Sequence, residues 1–303
     1  MNRITTTLVI AVMLAGPMLA VPGVSSAQVS VGISVRIGPP PLPVYPQPFC
    51  PGIGYIWTPG YWAYGPYGYF WVPGTWVLAP AVGFLWTPGY WGWREGFYRW
   101  HPGYWGRRVG FYGGINYGYG YAGVGYAGGY WRGRAFYYNR AVNNVNVTVI
   151  HDTYNRTVID NTLSRVSYNG GHGGINLRPT PGEMVMARKE HIPPTAAQLH
   201  QERLAGTRRT QWASVNHGRP GIAATVRPGR FNGRGVTRAI RPGSRYRPAA
   251  YKAHPNRAAF RHEYPRSGRH AWNAPYSRKR ADYPHSRRRR QPGKGGGPPF
   301  WSA

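Results

Sequence analysis

The motif Trp-x-Pro-Gly-x-Trp occurs four times in a row, and its copies begin 14 or 15 residues apart. They run from Trp57 to Trp62, Trp71 to Trp76, Trp86 to Trp91 and Trp100 to Trp105. A short unit that recurs at a fixed period cannot bury its apolar surface alone and has to pack on its copies. The repeat therefore predicts that residues 52–135 form one aromatic domain of stacked units.

The Pro-Gly pair of each motif fits the two central positions of a tight turn, because Pro fixes φ and Gly tolerates positive φ. We therefore expect a hairpin at each motif, with Trp57 opposite Trp62. Between motifs the chain turns back, and a turn centred on Pro66 and Tyr67 would place Trp62 opposite Trp71. The third and fourth motifs would pair in the same way. The predicted fold class is mainly β, an antiparallel meander of about eight short strands in repeat hairpins.

The eight tryptophans of the motifs should share one face of this sheet, because strand side chains alternate between its two sides. Two interpretations stay open. The face is either the core, which is the usual place of large aromatics, or a platform on which sugar rings stack. A second copy of the chain could also cover it. The candidate aromatic ligand face consists of Trp57, Trp62, Trp71, Trp76, Trp86, Trp91, Trp100 and Trp105.

The segments around the repeats have distinct compositions. A helical segment is expected where Pro193-Pro194 splits a helix-like stretch and Thr195 can cap its second half. Beyond His217 the residues are mainly Arg, Pro, Gly and Tyr, which bury too little surface to offset chain entropy, so a disordered basic tail is expected. The predicted segments are a strand and Pro-rich linker (28–51), an Asn/Val-rich β region of two or three strands with a turn at Asp152–Asn155 (136–180), the helical segment (181–217) and the tail (218–303).

Residues 1–27 have the features of a secretory signal. Arg3 precedes an apolar run, and small residues lead up to a cleavage site near Ala27. The run is too short for a comfortable transmembrane helix, and no later stretch approaches the necessary length, so the mature chain is expected to have no membrane-spanning segment. The expected location is periplasmic, cell-surface or secreted. The single cysteine, Cys50, is either a small apolar filler or a cross-link between two chains.

The net charge of +30 arises from 38 Lys and Arg residues against eight Asp and Glu residues. From Gly218 onward, 21 basic residues face two acids. Such a segment attracts polyanions, here an anionic envelope polymer, an acidic polysaccharide or extracellular DNA, unless it is a solvated tail with no dedicated partner. The candidate polyanion-binding residues are Arg278, Lys279, Arg280, Arg287, Arg288, Arg289 and Arg290.

The sequence contains no recognisable set of catalytic residues. General acid/base catalysis needs neighbouring carboxylates or a carboxylate beside a base, and eight scattered acids offer no such pair. The sequence also lacks the common zinc, phosphate-loop and nucleophile motifs. We therefore expect no catalytic residue, no cofactor and no metal site, and hence no enzyme.

Four sequence elements occur together in this chain. They are the Trp-Thr-Pro-Gly-Tyr-Trp copies, the Cys-Pro-Gly element at Cys50, the Asn143-Asn-Val-Asn-Val-Thr segment and the Gly173-Gly-Ile-Asn-Leu-Arg-Pro-Thr-Pro segment. Over roughly residues 28–235 the chain resembles exported bacterial WXXGXW (YXWGXW) repeat proteins. The resemblance implies export but no activity, because the function of that family is unknown. The Arg-rich end from about Arg241 looks like an extension beyond the family.

The sequence thus indicates an exported, non-enzymatic structural or adhesive protein of the envelope or matrix, with a polyanion-binding basic tail. The alternative is a carbohydrate-binding module that uses the Trp and Tyr side chains of the repeat sheet.

Overall fold

The computed structural model describes residues 33–158 and 164–240. The predicted signal and the residues from 241 onward lie outside this part of the chain. The strands are β1 (Ser34–Val35), β2 (Tyr55–Thr58), β3 (Tyr61–Gly65), β4 (Gly68–Val72), β5 (Gly74–Leu78), β6 (Leu85–Thr87), β7 (Tyr90–Arg94), β8 (Phe97–His101), β9 (Tyr104–Gly106), β10 (Asn116–Gly118), β11 (Tyr121–Ala122), β12 (Gly129–Arg132), β13 (Ala135–Asn139), β14 (Thr153–Tyr154), β15 (Tyr168–Asn169) and β16 (Ala224–Thr225). The helices are α1 (Pro181–Arg188), α2 (Ala196–Gly206) and α3 (Ala213–Asn216), with a 3-10 turn at Arg209–Gln211. Most strand pairs are antiparallel, so a mainly β class of small antiparallel sheets with few helices is confirmed.

The four motifs lie in two long hairpins, which we name the first unit (residues 55–78) and the second unit (residues 85–106). In the first unit β3 pairs with β4 next to the turn, and β2 pairs with β5 farther from it. The second unit repeats this arrangement 29 residues later, with β7 paired to β8 and β6 paired to β9. Each unit therefore contains two motifs, one in each arm of its hairpin.

The register brings the tryptophans of the two arms opposite each other. Trp62 lies opposite Trp71, and Trp91 lies opposite Trp100, so both predictions for the turns between motifs are confirmed. Their turn geometries differ. In the second unit the two central turn residues, Glu95 and Gly96, both have positive φ, as the favoured two-residue hairpin turns require.

The predicted hairpin at each Pro-Gly pair is wrong, because Trp57 lies opposite Trp76 and not opposite Trp62. None of the motif glycines has positive φ. Proline supplies no amide donor and so interrupts the ladder between the outer and inner strands of an arm. Glycine is needed there for close approach: a Cβ on Gly60 would lie 2.8 Å from the nitrogen of Gly74 and 2.3 Å from Cζ2 of Trp71.

The motif tryptophans form the centre of the core. Seven of the eight are buried, and Trp100 is half-buried. Each cross-strand pair has ring centroids 5.3 or 5.4 Å apart, a tilted or edge-to-face contact that adds about 0.5 to 1.5 kcal/mol beyond buried area. Tyr112, Ile115 and Tyr121, from the Gly-Tyr stretch after the second unit, are fully buried in the same cluster.

Segments from elsewhere in the chain complete each unit. In the first unit β16 runs parallel to β5. In the second unit β1 pairs with β8, and β15 runs parallel to β7. Strand β9 gains only an isolated bridge, in which Trp105 and Ile192 exchange two backbone hydrogen bonds of 2.8 and 2.9 Å. The two units are thus alike inside and differ in what covers their edges.

The Asn/Val-rich region contains β14, β15 and most of β13, but its turn is not where the prediction places it. Its predicted turn at Asp152–Asn155 contains strand β14, which runs parallel to β13. The stretch before it has no strand, because asparagine side chains bond the local backbone instead. The Oδ1 atom of Asn146 accepts a hydrogen bond of 3.0 Å from the amide of Thr148, and Asn139 accepts one of 3.1 Å from Ala141.

Two segments predicted as a linker and a tail belong to the folded domain. The Pro-rich stretch 39–51 has no regular structure, as expected, yet Leu42 and Tyr45 are buried in the core. The prediction of disorder is wrong for residues 218–240, where β16 adds to the first unit and Phe231 is buried. A short run of Ile, Ala, Thr and Val between Gly221 and Arg227 suffices for this packing, and the average composition of the segment hides it.

The helical segment follows the prediction closely. Helix α1 ends before Pro193-Pro194, and Thr195 caps α2 by accepting a hydrogen bond from the amide of Gln198. The Oε1 atom of Gln198 in turn accepts a hydrogen bond from the Thr195 amide, which completes a capping box. Within the described ranges, no helix has both the length and the apolar character needed to cross a membrane.

Candidate functional site

A cavity of about 500 Å³ lies where the Pro-Gly pairs of both units meet helix α2. The prolines of all four motifs, Pro59, Pro73, Pro88 and Pro102, line it. Each Pro-Gly pair interrupts its ladder, and the four interruptions border this one cavity, although three of the four prolines are themselves buried. The cavity is therefore a direct product of the repeat and of the helix packed over it.

One wall of the cavity is an aromatic pair. The rings of Tyr61 and Trp100 stack with centroids 5.0 Å apart and an interplanar angle of 18°. The hydroxyl of Tyr61 donates a hydrogen bond of 2.8 Å to Oε2 of Glu202 on α2. Burial and the nearby carboxylate raise the pKa of Tyr61 well above its usual value. The hydroxyl therefore stays protonated and remains the donor in this pair.

Two other polar side chains of the cavity wall already bond inside the protein. Tyr117 donates its hydroxyl to the carbonyl of Gly89 at 2.6 Å, and Thr58 donates to the carbonyl of Thr75 at 2.9 Å. Among the described residues no Lys or Arg lines this cavity, and Glu202 is its one carboxylate. Its walls are therefore mainly apolar, with a single acidic group in a strongly basic protein.

A second cavity, of about 720 Å³, lies along the same helix, beside the turn of the first unit. Its aromatic pair consists of the exposed Tyr67 and the half-buried Trp212, with ring centroids 4.4 Å apart and an angle of 25°. Leu199 and Glu202 line both cavities. One face of α2 thus separates two aromatic depressions.

The candidate aromatic ligand face is mostly core. Six of its members, Trp57, Trp62, Trp71, Trp76, Trp91 and Trp105, are at most 1% exposed. Only Trp86 and Trp100 reach the first cavity, and only Trp100 is partly exposed. In this conformation a sugar ring could not stack on the other six without opening the domain.

The candidate polyanion-binding residues of the tail, Arg278, Lys279, Arg280, Arg287, Arg288, Arg289 and Arg290, lie outside the described residues. The part that the structure describes is itself strongly basic, with 21 Lys and Arg side chains, all exposed, and five acids. Its ion pairs are those of Glu95 with Arg94 and Arg99, both at 3.1 Å. The sequence-based candidates were all in the tail and did not include this surface, although the scarcity of acids along the whole sequence indicates it.

Cys50 is buried, and its thiol donates to the carbonyl of Gly52 at 3.1 Å. Burial raises the pKa of this thiol to about 11. Both observations favour the apolar filler over the cross-link between chains. No group of three or more His, Cys, Asp or Glu side chains suited to a metal ion is found among residues 33–158 and 164–240.

The family model for the WXXGXW repeat matches two copies, at residues 52–77 and 82–105. The chain thus contains two copies of the WXXGXW repeat. The two matched copies coincide with the two hairpin units, so one WXXGXW repeat corresponds to one hairpin with a motif in each arm. No curated protein and no solved structure matches the chain significantly.

Sequence reasoning did not find the two residues that shape the first cavity. Tyr61 has an equivalent, Tyr90, at the same position of the second unit, so the repeat itself marks the position. Glu202 had no comparable signal, because its place depends on how α2 packs across the hairpins.

Proposed function

We propose that this protein is an exported, non-enzymatic structural or adhesive component of the cell envelope or extracellular matrix that binds anionic polymers through its basic surface. The observation that carries the proposal is the exposure of all 21 basic side chains in the described domain, against five acids. The adhesive surface then includes the folded domain as well as the tail.

Electrostatics supports a polyanion as the partner. Of the five acids, Glu95 forms ion pairs with two arginines, whereas the remaining basic side chains have no ion-pair partner in the described ranges. A dense set of exposed Lys and Arg releases condensed counterions from a polyanion, which gives affinity that depends on salt and little on sequence. Anionic envelope polymers, acidic polysaccharides and extracellular DNA are all of this type.

The remaining parts of the proposal rest on other features. Export is supported by the signal-like residues 1–27. A structural role is supported by the dense tryptophan core, which holds two hairpins and distant segments in one domain. A non-enzymatic role is supported by the first cavity having Glu202 as its one carboxylate among the described residues, since a paired-carboxylate mechanism needs two.

The test measures binding of the mature full-length protein, residues 28–303, to double-stranded DNA and to an acidic polysaccharide across a salt series. Two fourfold Arg→Gln variants remove equal charge from the tail (Arg287, Arg288, Arg289 and Arg290) or from the domain (Arg132, Arg134, Arg140 and Arg156). Each lost phosphate contact lowers the salt slope on DNA by about one. A reduced slope in both variants supports the proposal, and a reduction in the tail variant alone restricts adhesion to the tail. Binding that is insensitive to salt contradicts the proposal.

The carbohydrate-binding alternative loses its main support because most of its tryptophans are buried. A neutral polysaccharide in the same assay separates the two functions. Binding of that polymer at high salt, with a shift of tryptophan emission, would favour the alternative over polyanion adhesion.

A further inference from the structure

The two units differ at one pair of hydrogen-bond donors. In the first unit the indole N–H of Trp71 and the amide N–H of Gly74 both donate to the carbonyl oxygen of Ala223, at 3.0 and 3.2 Å. Ala223 immediately precedes β16, so an extended segment of the chain places its carbonyl in a two-donor site of the repeat. Trp71 is 1% exposed under this cover.

The equivalent donors of the second unit are Trp100 and Gly103, each 29 residues later. Their local geometry is the same. Cζ2 of Trp100 lies 2.5 Å from a Cβ built on Gly89, as Cζ2 of Trp71 lies 2.3 Å from one built on Gly60. Both donors belong to residues that line the first cavity. Neither N–H has a hydrogen-bond acceptor within residues 33–158 and 164–240.

The difference comes from the covering segments. The side chain of Gln211 holds the segment before β16 against the first unit, because it bonds the carbonyls of Trp71 and Ile222 and accepts from the Ile222 amide. On the second unit the bridge from Ile192 reaches Trp105 and leaves the Gly103 end of the strand edge open to the cavity.

We propose that Trp100 and Gly103 bind a backbone carbonyl of an extended peptide segment of a partner protein, as the first unit binds its own residue Ala223. The mode is a short form of strand addition, in which backbone hydrogen bonds provide affinity and adjacent pockets provide selectivity. The amide carbonyl is the ligand chemistry that the first unit itself displays in this site.

The charge of the cavity indicates which peptides are preferred. Glu202 lies in its wall and has no ion-pair partner in the part of the chain that the structure describes, and Arg203, its basic neighbour in sequence, lines the second cavity instead. The other titratable side chains of the wall are those of His191 and of three tyrosines, Tyr61, Tyr104 and Tyr117. A peptide with Arg or Lys near the bound carbonyl therefore fits better than one with Asp or Glu. This preference is opposite to that of the basic surface.

The experiment uses the mature full-length protein with ¹⁵N-labelled Trp and Gly and follows the indole N–H of Trp100 and the amide of Gly103 by NMR. One probe is the acetylated, amidated peptide Ile-Ala-Ala-Thr-Val-Arg, the sequence of residues 222–227. A second peptide ends in Glu instead of Arg, and a trimer of N-acetylglucosamine offers an acetamido carbonyl on a sugar. We expect the Arg peptide to shift both signals and to bind at least about threefold more tightly than the Glu peptide.

Variants make the result specific. Trp100→Phe removes one donor and should weaken the Arg peptide about tenfold, whereas Trp93→Phe, at an exposed indole that does not line the cavity, should leave it unchanged. Glu202→Gln should abolish the preference for Arg over Glu even if Trp100→Phe fails to fold. The proposal is overturned if no peptide shifts Trp100 and Gly103, or if only the sugar trimer shifts them. Failure of the polyanion assay would not affect this outcome.

Discussion

The first and second units share their motifs, their strand pairing and the contacts at their Pro-Gly pairs, yet they are covered by different parts of the chain. The first unit receives β16 and the side chain of Gln211 over Trp71, which is fully buried. The second unit receives β1 and β15 on its inner strands, whereas Trp100 stays half-buried beside a cavity. Local sequence determines the hairpin, and distant segments determine which copy keeps an open edge.

This comparison separates two roles of the repeat. Contacts that occur in both units, such as the glycine pairs and the cross-strand Trp pairs, hold the hairpin together. Contacts that occur in only one unit, such as the bond from Trp71 to Ala223, define what that unit can bind or must keep covered. Substitutions of the first kind should affect both units equally, and those of the second kind should affect one.

The largest expected effect is alkaline unfolding, in which Tyr90 of the second unit ionises before the equivalent Tyr61 of the first. Burial raises the pKa of Tyr90 to about 12 and raises that of its equivalent Tyr61 well above the usual value. A group whose folded-state pKa is raised stabilises the fold below its unfolded pKa, near 10, and this contribution is lost as pH rises to about 12. Tyr90 alone accounts for about 2 kcal/mol.

Urea unfolding at several pH values, together with ¹³C NMR titration of the Tyr rings, measures this effect. We expect the free energy of unfolding to fall steadily above about pH 10. Tyr90 should ionise before Tyr61. A Tyr90 that titrates near pH 10 in the folded protein would contradict the packing described for the second unit.

The next effect concerns the Pro-Gly pairs. A Cβ on Gly60 or on Gly89 would lie 2.8 Å from a backbone nitrogen of the other arm. Since two backbones cannot easily separate, Gly60→Ala and Gly89→Ala should each lower the free energy of unfolding by about 3 kcal/mol. Gly182→Ala is the matched control, because its nearest neighbour is 4.0 Å away. Chemical denaturation of all three variants measures the free energy of unfolding. A much smaller loss for Gly89→Ala than for Gly60→Ala would contradict the equivalence of the two units.

Loosening the segment before β16, which covers the first unit, should lower the free energy of unfolding by somewhat less. Gln211 is fully buried and bonds three backbone groups of Trp71 and Ile222. Gln211→Ala leaves these groups without partners, and we expect a loss of about 2 kcal/mol. Acrylamide quenching should also increase as Trp71 becomes accessible. The exposed Asn232→Ala serves as a control, and unchanged quenching in Gln211→Ala would show that Gln211 does not hold the segment.

The smallest effect distinguishes the two equivalent tryptophans. Trp71→Phe removes a fully buried indole and its bond to Ala223, so we expect a loss of about 2 kcal/mol. Trp100→Phe removes a half-buried indole without a protein acceptor, and about 1 kcal/mol or less is expected. Thermal and urea unfolding of both variants measures the difference. Equal losses would argue that the cover of the first unit adds little.

Sequence reasoning found the units but not their full geometry. The spacing of the tryptophans correctly gave the pairs across the turns at Pro66-Tyr67 and Glu95-Gly96. It misplaced the reversal at Pro-Gly because this dipeptide suits a tight turn as well as a ladder interruption between two close backbones. Only the second arm of the hairpin, distant in sequence, distinguishes the two cases.

Sequence patterns could not predict the cavity, for a related reason. The walls that come from the repeat recur in both units and are visible in the motif. Glu202, however, comes from α2. The open strand edge of the second unit results from β16 pairing with the first unit instead. Residues 221–227 carry too weak an apolar pattern to predict a parallel strand on β5 within a basic, Pro-rich and Gly-rich segment. Such pairing is decided by tertiary packing.

The most direct test of the difference between the units is solvent hydrogen exchange at the indole nitrogens of Trp71 and Trp100, measured by NMR on the mature protein and assigned with the two Trp→Phe variants. The account predicts that the Trp71 indole exchanges at least about 100-fold more slowly than that of Trp100, because only the former is buried and bonded to Ala223. Equal protection of the two indoles would contradict an open edge on the second unit.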